Sequence, residues 1–274
     1  VPDTVPYRPL RISPSRIHDL VECPRRYQYQ HVQQIAPYYR SMIDFDRDGE
    51  RSTATSSPGG VGPTEWGTAV HEALEYRLDG KDALSSYVSQ LGDPLREYVL
   101  WVVETLRRDV DAYRTALDTT AETYPEFSAS TVLTVGDRSV HVTGEVDLLY
   151  ETEGEWHIVD YKTTKVPEAD SYKAGKYARQ LRTYAWLLER EYGVEVSSAS
   201  LLYIDVDDET GHVVTDSVRI SLPTDEGEYE EELRESLQTV AVESPTGLSA
   251  RPASYRCKSC PYASMRGGPC EHGD

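Results

Sequence analysis

The chain belongs to the α/β class: its predicted elements form a mixed sheet flanked by helical additions. Three observations carry this reading. Helical apolar spacing occupies the first part of the chain, and short β-rich runs with a period of two replace it between Phe127 and Tyr161. A long amphipathic segment, Asp170 to Tyr192, then precedes two further strand-like runs.

Taken in order, Ser13-Pro14 opens the first helix, with Ser as N-cap and Pro in the first turn. Ile17, Leu20 and Val21 then fall on one face. Cys23-Pro24 interrupts the helix, and Arg25 to His31 is expected to form a second one. Residues 44–63 are rich in Asp, Arg, Ser, Thr, Gly and Pro and read as a flexible loop. Thr64 is expected to cap the next helix, whose apolar stripe is Trp66, Ala69, Val70, Ala73 and Leu74, with His71 beside it. Helical spacing resumes from Leu84 to Leu91 and from Pro94 to about Leu117, so residues 80–120 form a helical insertion. Strands are predicted over Phe127–Val135, Ser139–Val142, Glu145–Tyr150 and Trp156–Tyr161. Gly193 ends the long helix. Strands at Ser198–Val206 and His212–Ile220 and a helix from about Thr224 to Val242 complete the order. One domain is expected to span residues 1–274.

The composition narrows the setting. The 274 residues contain 47 acidic and 28 basic side chains, a formal net charge of −19, and 20 Tyr against two Phe and two Met. Acidic residues are distributed along the chain and lysine is scarce, which fits a protein kept soluble in concentrated salt, where self-repulsion is screened. A halophilic source is therefore expected, with a mesophilic acidic enzyme as the alternative. No apolar run approaches the ~18 residues of a membrane span. The start of the chain lacks a basic then apolar signal pattern, so a cytoplasmic location is expected.

The strongest local signal is Gly144-Glu145-Val146-Asp147 followed by Asp160-Tyr161-Lys162. Residues two apart on a strand share a face, so Asp160 and Lys162 point the same way, and hairpin pairing can bring Asp147 beside them. Carboxylates bind hard cations such as Mg²⁺, and a neighbouring lysine can stabilise charge on a phosphoryl oxygen. An ordinary Asp160–Lys162 ion pair at a sheet edge is the plainer alternative. Glu145 reads as a solvent residue at a strand start.

The ordered set Gly67-x-x-x-His71, Gly144-x-x-Asp147, Asp160-x-Lys162 and Gln180-x-x-x-Tyr184 resembles the RecB-like branch of the PD-(D/E)XK nuclease superfamily. The resemblance implies a restriction-endonuclease-like core with element order αβββαβ. It implies that His71, Asp147, Asp160 and the carbonyl of Tyr161 hold Mg²⁺ or Mn²⁺, and that Lys162 assists the attacking water. Asp147, Asp160 and Lys162 are then the catalytic group. Gln180 and Tyr184 would meet DNA or steady the site.

Four cysteines are present: Cys23, Cys257, Cys260 and Cys270. Cys257-x-x-Cys260 is a chelating pair, and the absence of a secretory pattern points away from disulfides. One N-terminal and three C-terminal cysteines resemble the iron–sulfur subgroup of these nucleases, which includes AddB-type and CRISPR-adaptation enzymes. That resemblance implies a [4Fe–4S] cluster stapling 13–31 to 250–274. Zn²⁺ is the alternative occupant. Nine residues separate Cys260 from Cys270 where about five are usual in that subgroup, and His272 could compete as the fourth ligand.

The charge pattern is local. Residues 161–183 carry Lys162, Lys165, Lys173, Lys176, Arg179 and Arg182 against Glu168 and Asp170, a net of +4. Residues 8–40 also carry +4. Lys165, Lys173, Lys176 and Arg179 are therefore candidate DNA contacts, and Tyr161, Tyr172, Tyr177 and Tyr184 candidate stacking groups for single-stranded bases. Together these features predict a metal-dependent DNA nuclease, an exonuclease on single-stranded ends, in repair and recombination or in CRISPR adaptation. The rival is a non-catalytic DNA-end-binding subunit, and a more distant one is a zinc-stapled interaction protein. No Walker-type phosphate loop is present, so any ATP-driven translocation would come from a partner; a helicase or a CRISPR integrase is the expected partner.

Overall fold

The computed structural model describes residues 10–35, 61–117, 120–207, 209–223, 225–242, 257 and 260–271. Most of the expected loop at 44–63, namely 44–60, lies outside the described residues, as do 1–9 and His272. The chain divides into two compact units: Val1–Thr53, Ser130–Thr143 and Pro223–Asp274 form one, Ala54–Ala129 and Gly144–Leu222 the other. The elements are β1 (Leu10–Ile12), α1 (Pro14–Glu22), α2 (Pro24–Tyr27), α3 (Pro63–Asp79), α4 (Lys81–Val88), α5 (Leu95–Asp109) and α6 (Asp111–Ala116). They continue with β2 (Glu122–Val135), β3 (Arg138–Thr152), β4 (Glu155–Lys162), α7 (Tyr172–Tyr192), β5 (Val196–Val206), β6 (Val213–Ile220) and α8 (Glu226–Val242). The fold is thus mixed α/β, as expected. No described helix is long and apolar enough to cross a membrane.

In the second unit the strand order is β3-β4-β5-β6, with β2 paired to β3. β3 and β4 run antiparallel, with Leu148 opposite Val159 and Tyr150 opposite His157. β4 and β5 are parallel, as the intervening helix α7 requires. β5 and β6 form an antiparallel pair. The central strands are buried on both faces. One face (Leu148, Tyr150, Val159, Tyr161, Leu202, Ile204, Val206) packs in a single core with Trp66, Val70 and Leu74 of α3, Val99, Val102 and Leu106 of α5, and Tyr113 of α6. The alternate residues of β4, among them Ile158 and Asp160, point the other way and are equally buried.

Helix α7 has clear stops. The Ser171 hydroxyl accepts the Ala174 N–H at 3.2 Å, and Gly193 ends the helix in the left-handed region at φ 66°. Its apolar stripe buries Leu181, Leu187 and Leu188 completely.

Several local expectations are corrected. Gly62 rather than Thr64 is the N-cap of α3, because Pro63 is already helical and takes the first position. The helix predicted over 94–117 breaks at Val110, whose backbone is extended, into α5 and α6. Strands predicted separately at Ser139 and Glu145 are one strand, β3, which runs through Gly144. The helix predicted over Arg25–His31 is the short α2 followed by a π-turn, Gln28–Val32.

In the first unit β1 lies parallel to the start of β3, with Leu10 opposite Val140. Ser13 caps α1 without a side-chain bond to the helix backbone, its hydroxyl meeting Ser15 Oγ at 3.2 Å instead. Asp19, only 1% exposed, is paired with His31 at 3.0 Å, which ties α1 to the π-turn. The C-terminal segment docks here through tyrosines. Tyr29 donates to the Pro269 carbonyl at 3.3 Å, Tyr262 donates to the Ile35 carbonyl at 3.2 Å, and the two rings lie 5.5 Å apart. Gly268 passes so close to the Tyr262 backbone that a Cβ there would lie 2.4 Å from its carbonyl carbon, so no larger residue fits.

Candidate active site

The site lies within the second unit, where β3 and β4 stop pairing. The ladder runs as far as Leu148 opposite Val159. Just beyond it Asp147 Oδ2 accepts the Tyr161 N–H at 2.7 Å, so a side chain satisfies a main-chain donor. The other oxygen, Oδ1, lies 3.7 Å from His71 Nδ1. His71 comes from α3, and Gly67, one turn earlier, explains how that helix gets there: a Cβ at Gly67 would meet Thr163 Oγ1 at 3.1 Å. The Tyr161 ring is buried and packs edge-on against His71, centroids 5.6 Å apart.

Asp160 is 1% exposed and ion-paired with Lys162; apart from that pair neither carboxylate oxygen takes a hydrogen bond from the described residues. Strand parity thus places the acid and the amine on one face, as the sequence suggested. A line of contacts holds the amine. Lys162 Nζ donates to Gln180 Oε1 at 3.4 Å, Gln180 Nε2 donates to the Tyr184 hydroxyl at 2.9 Å, and the Tyr177 ring lies 4.7 Å from Nζ. Gln180 and Tyr184 are one turn apart on α7, so one helix face aims both at β4.

The structure therefore brings His71, Asp147, Asp160, Tyr161, Lys162, Gln180 and Tyr184 together. It corrects the stacking expected of Tyr161 and Tyr184, which are 3% and 5% exposed and have no ring face to offer a base. Lys165 and Lys173 are exposed and Lys176 and Arg179 half-buried, on the β4–α7 loop and the first turns of α7. Lys173 Nζ reaches Thr164 Oγ1 at 3.5 Å. Glu145 is exposed, as expected.

Sequence reasoning missed Glu126. A ligand atom of its carboxyl lies within 4.8 Å of ligand atoms of both His71 and Asp147. Glu126 has φ 49°, a break in β2 that upsets the alternation on which strand parity depends. The available signal was Pro125, since proline within a strand marks an edge or a bulge.

The electrostatics are those of a site crowded with acids. Burial, then the Asp160 charge, pushes the Asp147 carboxyl well above the usual range, against Lys162 and the Tyr161 amide. Burial and a hydrogen bond with Glu145 push Glu126 up to about 7. Burial lowers His71, which leaves a neutral imidazole with a lone pair. Burial would lower Lys162, but Asp160 and Asp147 outweigh it and its pKa is raised, so the ammonium keeps its charge.

The profile of the PD-(D/E)XK nuclease superfamily matches residues 11–265. The chain belongs to this superfamily. One matching solved structure, described as the crystal structure of SSO0001, is 16% identical, covers 97% of this chain and 87% of its own, and superposes with a TM-score of 0.44. No curated protein matches the chain. Members of the superfamily are nucleases that use divalent cations, and the donors here fit one. One imidazole nitrogen and carboxylate oxygens converge, and among the described residues the buried Asp160 carboxylate is met by Lys162 alone.

The four cysteines all belong to the first unit. Cys23 separates α1 from α2, the Cys260 N–H bonds the Cys257 carbonyl at 3.1 Å, and Cys270 bridges to Ala263. All four are half-buried thiols. Burial pushes the Cys260 thiol up; Arg26 acts against this, and Cys23 and Cys270 are near enough to add to it.

The raised Glu126 carboxyl has a measurable consequence. A carboxyl whose folded pKa is about 7 against 4.5 in the unfolded chain stabilises the fold below pH 4.5, and that contribution is lost as pH rises through 7. Glu126→Gln removes the titration. Without metal, variant and wild type should melt alike near pH 4.5, and the variant should melt higher at pH 8. Equal melting temperatures at pH 8 would contradict the raised carboxyl.

Proposed function

We propose that this nuclease is a Mg²⁺- or Mn²⁺-dependent deoxyribonuclease of the RecB-like branch, acting as an exonuclease on single-stranded DNA ends. The observation that carries the proposal is the meeting, within one unit, of His71, Asp147, Asp160 and Lys162. Asp147 lies 3.7 Å from His71, and Lys162 is paired with a fully buried Asp160.

In this reading His71, Asp147, Asp160 and the Tyr161 carbonyl hold the cation. When bound, it polarises the scissile phosphoryl group and makes a water more acidic. The chain's own contribution is positional and electrostatic. Lys162, fixed between Asp160, Gln180 and the Tyr177 ring, presents a permanent positive charge where the phosphoryl oxygens gain negative charge during in-line attack. Gln180 and Tyr184 keep that amine in place. No side chain is needed as a nucleophile. Lys165, Lys173, Lys176 and Arg179 attract the strand to an otherwise acidic protein.

The proposal extends to the first unit, where Cys23, Cys257, Cys260 and Cys270 would ligate a [4Fe–4S] cluster with a structural role, as in the iron–sulfur subgroup. The order of the cysteines, one early in the chain and three late with a Cys257-x-x-Cys260 pair, supports it. With no phosphate loop for ATP, any translocation would come from a helicase-type partner; a CRISPR integrase is the alternative partner.

The test is degradation of end-labelled single-stranded DNA in high salt, with Mg²⁺, Mn²⁺ or chelator. Metal-dependent loss of linear but not circular substrate is the expected result. A protein that binds ends yet leaves them intact under every metal and salt condition would make it a binding subunit instead. Iron analysis and visible absorbance of anaerobically purified protein test the cluster, zinc without iron being the contrary outcome.

A further inference from the structure

We propose that Glu126, outside the four sequence blocks, is a direct ligand of the catalytic divalent cation, completing a His71–Glu126–Asp147 triad. This rests on the reading of the site as metal-dependent.

Donor accounting leads to Glu126. One Asp147 oxygen is committed to the Tyr161 N–H at 2.7 Å, leaving Oδ1 beside His71 Nδ1. The Asp160 carboxylate is engaged by Lys162. A hard cation seeks about six ligands, mostly oxygen, so His71, one Asp147 oxygen, Asp160 and the Tyr161 carbonyl still leave positions to fill. Glu126 supplies a further side-chain donor, its ligand atom within 4.8 Å of those on His71 and Asp147.

Charge gives the same answer. The Asp160–Lys162 pair is neutral as a unit. Asp147 and Glu126 then supply two negative charges to match a divalent ion.

The placement of Glu126 is built into the strand. Its backbone at φ 49° interrupts the alternation of β2. The residues on either side are anchored: Phe127 packs on Tyr192 and Tyr124, centroids 5.3 and 6.1 Å away, and the Ser128 carbonyl accepts the Tyr192 hydroxyl at 3.3 Å. Two residues on, Ser128 Oγ lies 3.3 Å from Glu145 Oε2. The ligand is thus positioned by packing.

The experiment is calorimetric titration of the full-length, metal-free protein with Mn²⁺, beside melting curves in chelator. Four variants are compared with wild type: Glu126→Gln, Glu126→Asp, Asp147→Asn and Glu122→Gln. Glu126→Gln should weaken Mn²⁺ binding by at least about tenfold, since even groups behind the ligands cost that much. Glu126→Asp, which keeps the charge but withdraws it by one methylene, should weaken binding as well, and it remains informative if the Gln variant misfolds. Glu122→Gln, on an exposed position of the same strand, should bind like wild type. If both Glu126 variants bind Mn²⁺ as wild type does while Asp147→Asn does not, Glu126 is no ligand and the metal-dependent reading stands. If Asp147→Asn also binds normally, or wild type binds no Mn²⁺, both readings fail.

Discussion

Replacing Lys162 by methionine should reduce metal-dependent cleavage by at least about a hundredfold, the cost of removing one preorganised group that meets developing charge. The reduction should appear in the single-turnover rate at saturating Mn²⁺. Methionine keeps most of the stem's volume, so packing against Tyr177 is retained and the loss reports the ammonium. The substitution also strands the Asp160 carboxylate, which is 1% exposed. Breaking a buried pair from one side costs about 3–5 kcal/mol, whereas neutralising both sides is often close to neutral. Lys162→Met should therefore melt below wild type in the absence of metal, and Lys162→Met with Asp160→Asn should recover much of that stability without any activity. A single variant with wild-type cleavage would remove Lys162 from the chemistry. A double variant less stable than the single would show that Asp160 is not held by charge.

Trp66→Ala should cost about 3–5 kcal/mol of unfolding free energy, the range for deleting a large buried aromatic. Trp66 is fully buried in the core between α3 and α5, edge-on to Tyr98 at 6.5 Å. Its indole N–H finds no acceptor among the described residues, so Trp66→Phe should lose much less. The consequence reaches the site because α3 carries Gly67 and His71 directly after Trp66. Denaturant unfolding together with Mn²⁺ titration separates the effects. Trp66→Ala should lower both stability and metal affinity, whereas His71→Ala should lower metal affinity alone. Equal stability of Trp66→Ala and wild type would mean that α3 is not seated as described.

Superimposed on these effects is a general conflict between stability and function. Carboxylates gathered beside His71 repel one another until a cation arrives. The Gln substitution at Glu126 that strengthens the metal-free fold at neutral pH is also expected to weaken metal binding.

What the sequence determined by itself is what depends on neighbours along the chain. Alternation placed Asp160 and Lys162 on one strand face, the four-residue step placed Gln180 and Tyr184 on one helix face, and Gly193 marked the end of α7. The spacing Gly67-x-x-x-His71 marked the histidine helix, although only the packing shows that Gly67 admits Thr163. The tertiary structure decided whatever depends on distant segments. That Tyr161 and Tyr184 are buried follows from sheet burial on two faces, which no single strand or helix reveals. That Val110 breaks a helix and Gly144 does not break a strand follows from what lies against each. The role of Glu126 was hidden for the same reason: one residue in the left-handed region shifts strand parity, so a periodic reading assigns it no place beside His71 and Asp147. Periodicity carries facing over one element, whereas convergence of side chains from three elements is set by sheet register and helix packing.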